Sequence, residues 1–217
     1  MKKKTIFNIC LMLLSLLITQ STSAEQARLK INKQNIKVWT YQTSRNPAAS
    51  YKAETVFNVP LERAVALIMD VERAQQWVPY MGKISILNRD DQAGEFLLHV
   101  VMDLPFPLKD RDLIIQSKIT RERNGTVNIR NRGMADSRFS QPDYIRLQDY
   151  QGDWTFQRLG ANKVKVTTMG YVNPEGSLPI SFMNMFVEQQ PYQMLKIMRS
   201  ELERPMYINA KLPVAIQ

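Results

Sequence analysis

Between Lys83 and Val172 the chain is a succession of short segments in which apolar and polar residues alternate, each ended by turn-forming residues, and this feature leaves few folds open. The segments are KISILN (83–88), EFLLHVVMD (95–103), RDLIIQSKITRE (111–122), TVNIRN (126–131), YIRLQ (144–148), GDWTFQRL (152–159) and KVKVTTMGYV (163–172). NRDDQAGE, RNGT, SQPD and LGANK separate several of them. Strands joined by such short links pair antiparallel, because a parallel pair needs a much longer crossover. VWTYQTS (38–44) and SYKAETVFN (50–58) precede them and read as a hairpin turning at RNPAA.

Two segments carry a helical period instead. PLERAVALIMDVERAQQW (60–77) places Leu61, Val65, Ile68 and Val71 on one face, with Asn58 as the expected cap and Pro60 near the first turn. GSLPISFMNMFVEQQPYQMLKIMRSELERP (176–205) reads as a long terminal helix with Phe182, Phe186, Met194, Ile197 and Met198 near one side, bent or loosened at Pro191. An antiparallel sheet must cover its apolar face, and only the terminal helix is long enough to do so. The expected class is α+β, in one domain.

The first residues set the compartment. Lys2, Lys3 and Lys4, the apolar run Ile6–Ile18 and the small residues Thr22-Ser23-Ala24 form the pattern of a cleaved export signal over 1–24, leaving 25–217 as the mature domain. Loss of three lysines and no acids takes the net charge from +9 to +6. Cys10, the only cysteine, leaves with the signal, so the mature chain has no disulfide, no thiol nucleophile and no thiolate ligand. Export without disulfides fits a periplasmic protein, or another secreted one. The basic residues are scattered among turns and exposed strand faces, which excludes a nucleic-acid partner and leaves transient attraction to an anionic membrane surface as the alternative to simple solvation.

The stretch MDLPFPLKDRDLII (102–115) interrupts the alternation: Pro105 and Pro107 cannot extend a ladder, and Phe106 is set between them, where it could plug the end of the sheet. This element, with Arg111 and Asp112 opening the next strand, and the later GYVNPEGSLPISFMNMF, with Asn173, Pro174, Gly176 and Pro179 ahead of the terminal helix, resembles the START family of lipid-transfer domains. DVERAQQWVPYMGKISIL (70–87), with Trp77 after the early helix, fits the same pattern. The resemblance implies a helix-grip fold, a curved antiparallel sheet wrapped around a long C-terminal helix, with a tunnel for one lipid-like molecule. It also implies an arginine six residues beyond Arg111, where this chain has Ser117, and an acidic partner near Val101, where none stands.

Alternation assigns faces independently. Leu113, Ile115, Ser117 and Ile119 share one side, as do Phe96, Leu98, Val100 and Met102, with His99, Asp112, Gln116 and Lys118 on the other. The residues expected to line a ligand cavity are Met102, Arg111, Leu113, Ile115, Ser117, Ile129, Trp154, Phe156, Tyr171, Phe182, Met183, Phe186 and Met194. Arg111 and Asp112 have a local ion pair or turn contact as their competing role. Trp154 and Tyr171 are isolated and make no choline cage. A single histidine excludes a multi-histidine metal site, no serine occupies a nucleophile elbow, and no cofactor is expected. The reading is a monomeric lipid carrier rather than an enzyme, with a cyclase-like enzyme acting on a hydrophobic substrate as the alternative.

Overall fold

Gln34 and Asn35 both adopt left-handed backbone conformations, with φ of 54° and 61°, the geometry of a two-residue turn whose twist matches that of paired strands. They join β1 (Arg28–Lys33) to β2 (Ile36–Thr43), and β3 (Asn46–Phe57) follows. β1 is an additional strand: only Leu29 and Ile31 alternate with polar residues in it, and all but one of its residues are exposed. β3 starts at Asn46, so most of the expected RNPAA turn is strand. This computed structural model describes residues 27–43, 46–139, 143–173 and 178–217; the expected export signal, Pro174 and Gly176 lie outside them.

The remaining strands are β4 (Met81–Asp90), β5 (Glu95–Met102), β6 (Arg111–Arg121), β7 (Val127–Met134), β8 (Ile145–Leu147), β9 (Tyr150–Gly160) and β10 (Lys163–Val172). They form one open sheet in the order β1-β2-β3-β10-β9-β7-β6-β5-β4, every neighbouring pair antiparallel. The N-terminal hairpin thus joins the sheet beside its last strand. β8 departs from the expected antiparallel series: it is short and pairs parallel to the start of β6, Arg111 opposite Ile145 and Leu113 opposite Leu147. It fills the stretch of β6 that β7 leaves unpaired, since β7 ends at Met134 opposite Ile114.

Both helices differ in detail from expectation. The first, α1 (Leu61–Met69), stops at Asp70, and a 3-10 turn (Val71–Gln76) continues toward the buried Trp77. Pro60 occupies its N-cap position without a side-chain hydrogen bond, and Asn58 is exposed, so Asn58 does not cap it. The terminal helix is α2 (Ile180–Asn184), one π-helical turn (Met185–Gln189) and α3 (Gln190–Glu201). The wide turn lies immediately ahead of Pro191, the residue expected to loosen it, and lets the chain pass a ring that has no N–H to give. Phe106 does not plug the sheet: it is 96% exposed in the link between β5 and β6, where the Leu104 amide is held instead by Asp110 Oδ1 at 2.9 Å.

The inner apolar residues divide into two clusters. One, dense and extensive, packs Phe57, Val127, Phe156 and Val164 of the sheet against Leu61, Ala64 and Val65 of α1 and Leu195, Met198 and Leu202 at the end of the terminal helix. Tyr207, after α3, ties this end together by donating to Asp70 Oδ2 at 2.7 Å, and burial followed by that partner pushes its phenol up to about 12. The other cluster is a wall: Phe96, Leu98 and Val100 of β5, Leu113 and Ile115 of β6, and Leu147 of β8.

Candidate functional site

The two clusters do not meet along their whole length. Between them lies a cavity of about 210 Å³, roofed by the 3-10 turn, the VPYM segment that follows it and the π-helical turn, and floored by the concave face of the sheet. Each inward row of the sheet changes character as it enters this space. On β9 it runs from Phe156, fully buried in the packed end, to Trp154, Gly152 and Tyr150 at the cavity. β10 runs from Val164 and Val166 to Thr168, β7 from Val127 to Ile129 and Asn131, and β3 from Phe57 through Ala53 toward Tyr51. On β6, Ile119 belongs to the packed end, while Ser117, Ile115 and Leu113 face the cavity.

Glycine makes the polar end possible. Gly152 and Gly170 are register partners on β9 and β10. A Cβ on Gly152 would come within 2.2 Å of the Tyr150 hydroxyl, and one on Gly170 within 2.7 Å of the Gln151 carbonyl and 3.1 Å of the Tyr51 ring and hydroxyl. The bare backbone therefore leaves room for two phenols to lie along the sheet. Burial pushes both tyrosines up, and Tyr51 adds to the effect on Tyr150, so both remain neutral hydroxyl groups. Thr168 is within hydrogen-bonding reach of Tyr51. The Asn131 amide donates to the Gly152 carbonyl at 2.6 Å, and the Gln151 amide to Asp153 at 3.0 Å. Among the described residues that line the cavity there is no Asp, Glu, Lys, Arg or His.

Of the residues the sequence points to, Met102, Leu113, Ile115, Ser117, Ile129 and Trp154 border the cavity from the sheet. Tyr171, Phe186 and Met194 border it from β10 and the terminal helix. Arg111 and Met183 instead border a separate gap of about 20 Å³ beside Leu104 and Leu178. Arg111 is buried and turns back onto the Lys109 carbonyl, and burial pushes its guanidinium down. Phe156 and Phe182 border neither space: Phe156 belongs to the packed end, and Phe182 meets Phe186 edge-on at 5.0 Å. Tyr51, Asn131, Tyr150, Thr168, Tyr80 and Gln190 also line the cavity, outside the set expected from the sequence. Continuing the two-residue period past Ile129, Trp154 and Val166 would have reached Asn131, Tyr150 and Thr168.

The roof contains one strained residue. Tyr80 has φ of 62°, outside the range comfortable for a bulky side chain. Its hydroxyl lies 3.1 Å from Met185 Sδ and its ring 5.5 Å from that of Phe186, so it bridges the VPYM segment and the π-helical turn over the cavity.

Behind the apolar wall, on the outer face, Asp112 is 1% exposed. It pairs not with Arg111 but with Arg146 of β8, through Nε at 2.8 Å and a terminal nitrogen at 2.7 Å, and with His99 Nε2 at 2.9 Å. Burial pushes the Asp112 carboxyl up, but the hydrogen bonds and charges of Arg146 and His99 together outweigh it and hold it below its ordinary value. Arg146 also bonds the carbonyls of Asp136 and Phe139, fastening the segment after β7 to the back of the wall.

Comparison with known proteins places this geometry. The START domain family model matches residues 14–206. An uncharacterized protein of Pseudomonas aeruginosa is 26% identical over 83% of this chain and 89% of its own length. The mitochondrial StAR-related lipid transfer protein 7 of mouse is 21% identical over 86% of this chain, which spans 54% of that protein, about half its length. Among solved structures, a STAR-related lipid transfer protein fragment from Xanthomonas axonopodis superposes with a TM-score of 0.74 at 23% identity, covering 82% of this chain and 99% of that one. Human StAR-related lipid transfer protein 5 gives 0.72 at 12% identity, over 92% and 94%. At these identities the structural likenesses establish the fold, an open antiparallel sheet gripping a C-terminal helix. The family match covers most of the sequence, and the chain belongs to the START domain family.

Proposed function

We propose that this chain is an exported START protein that holds a lipid or other hydrophobic molecule between the sheet and the terminal helix and carries it through aqueous space. The observation that carries the reading is the uncharged cavity of about 210 Å³ between two apolar clusters. Apolar surface removed from water contributes about 25 cal/mol per Å², so an acyl-like chain can be held there without a strong contact to its polar end. The names of the Xanthomonas and mammalian relatives describe lipid transfer, which accords with this use of the fold. The cavity is smaller than the roughly 300–1,000 Å³ of pockets that enclose drug-sized ligands. Met69, Met81, Met102 and Met194 line it, and movement of these unbranched side chains would enlarge it around a guest.

The residues in the cavity suit binding better than turnover. General acid–base chemistry needs a group that titrates near the working pH, whereas the Tyr51 and Tyr150 phenols are pushed upward by burial. Export through the 1–24 segment would place the mature protein in the periplasm or outside the cell, where its basic balance would draw it, as a monomer, briefly to anionic membrane surfaces. Native mass spectrometry of the protein purified from cells is expected to detect a bound organic species, or uptake of one from lipid vesicles. A protein that is empty as purified and takes up no acyl probe refutes the reading.

A further inference from the structure

The cavity has two chemically different ends, and the difference defines a class of ligand. Toward β4, β5 and the start of β6 its surface is hydrocarbon, from Ile84, Phe96, Leu98, Val100, Leu113 and Ile115, with Ser117 of β6 at the boundary beside Asn131. Toward β3, β7, β9 and β10 it carries hydroxyl and amide groups, from Tyr51, Asn131, Tyr150 and Thr168, while the Gln151 amide turns to Asp153 on the outer face. None of these is ionic. Polar side chains clustered at one end of an otherwise greasy cavity can orient a guest, since each supplies a donor or acceptor where a nonpolar group would supply none.

What such an end can accept follows from the cost of burying charge. A carboxylate or phosphate moved out of water without a cation beside it loses hydration that neutral donors replace poorly. An uncharged hydroxyl, ester or amide loses far less and regains it through one or two hydrogen bonds. The cations nearest in sequence face away from it: Arg132 pairs with Asp153 on the outer face, Arg130 is exposed on the same outward row of β7, and Lys165 and Lys52 pair with Glu54. The volume of about 210 Å³ also accommodates one chain more readily than two.

We infer that the cavity selects a single-chain amphiphile with an uncharged polar head, an alcohol, ester or amide, its head toward Tyr51, Asn131 and Thr168 and its tail against the β5–β6 wall. This rests on the binding reading above and narrows it. The test is competition against a fluorescent monoacylglycerol, using monopalmitoylglycerol, palmitate and palmitoyl-lysophosphatidylcholine below their micelle-forming concentrations. The neutral glyceride should displace the probe at a concentration at least about tenfold lower than either charged compound, the scale set by uncompensated charge burial. Tyr51→Phe and Thr168→Val, which remove single hydroxyl groups, should narrow that gap by about threefold or more. Palmitate or the phosphocholine lipid competing as well as the glyceride would overturn the inference while leaving lipid binding intact. No uptake of any of the four would overturn the binding reading, and this one with it.

Discussion

The two ends of the concave face are built from the same strands and stabilised in opposite ways. At the packed end, inward side chains of β3, β7, β9 and β10 interlock with α1 and the last turns of α3, and Phe156, Val127, Val164 and Leu195 are fully buried. At the cavity end, the same strands present glycine, threonine, asparagine and tyrosine, and the terminal helix widens into a π-helical turn. With less packing inside, this end is fastened from outside, where Asp112, Arg146 and His99 bind β6, β8 and β5 together behind the wall. A sheet can keep an interior open if its stiffness comes from the far side.

Mutation can break this contrast at either end. The largest effect is expected at Phe156, where truncation to alanine empties a fully buried site: loss of about 3–5 kcal/mol, measured by urea unfolding. Asp112→Ala should cost about 3 kcal/mol, because it strands the Arg146 guanidinium against the sheet. The same variant carries a pH signature. Since the Asp112 carboxyl is held below its unfolded value of about 3.9, the stabilisation is complete above that pH and is lost as pH falls through the lower folded value. The thermal midpoint of the native protein should therefore drop more steeply below about pH 4 than that of the variant.

Ile115→Ala, on the cavity wall, should cost about 2 kcal/mol, less than Phe156→Ala because its side chain already faces open space. It should also increase uptake of bulkier acyl probes. A loss equal to that at Phe156 would mean that the cavity end is as tightly packed as the other. Phe106→Ala should change stability by no more than about 0.5 kcal/mol, since the ring touches little; a larger loss would give the exposed link a structural role.

The comparison also explains what could be read in advance. The succession of elements along the chain, the inward set on β6 and the covering helix were legible because alternation and turn residues are local signals, and the family resemblance, carried by Pro105, Arg111 and Pro179, agreed with them; the order of strands in the sheet is set by long-range pairing. β1 is hard to read because its alternation is limited to Leu29 and Ile31 within a short, mostly basic and exposed stretch. The Asp112–Arg146 pair spans 34 residues and depends on a three-residue parallel contact that no local pattern announces. The polar end was missed for a related reason. Its side chains sit on the inward rows where alternation predicts apolar residues, and Gly152 and Gly170 matter through what a side chain there would strike, the phenols and the Gln151 carbonyl.

Filling the cavity tests the central claim most directly. Ser117 is buried on the cavity floor between Phe96 and Asn131, and Ser117→Phe would place a ring in the open space. Acyl-probe binding should fall at least about tenfold while the thermal midpoint holds or rises, as expected when a void is filled. Undiminished binding in a folded Ser117→Phe protein would mean that the acyl chain lodges elsewhere.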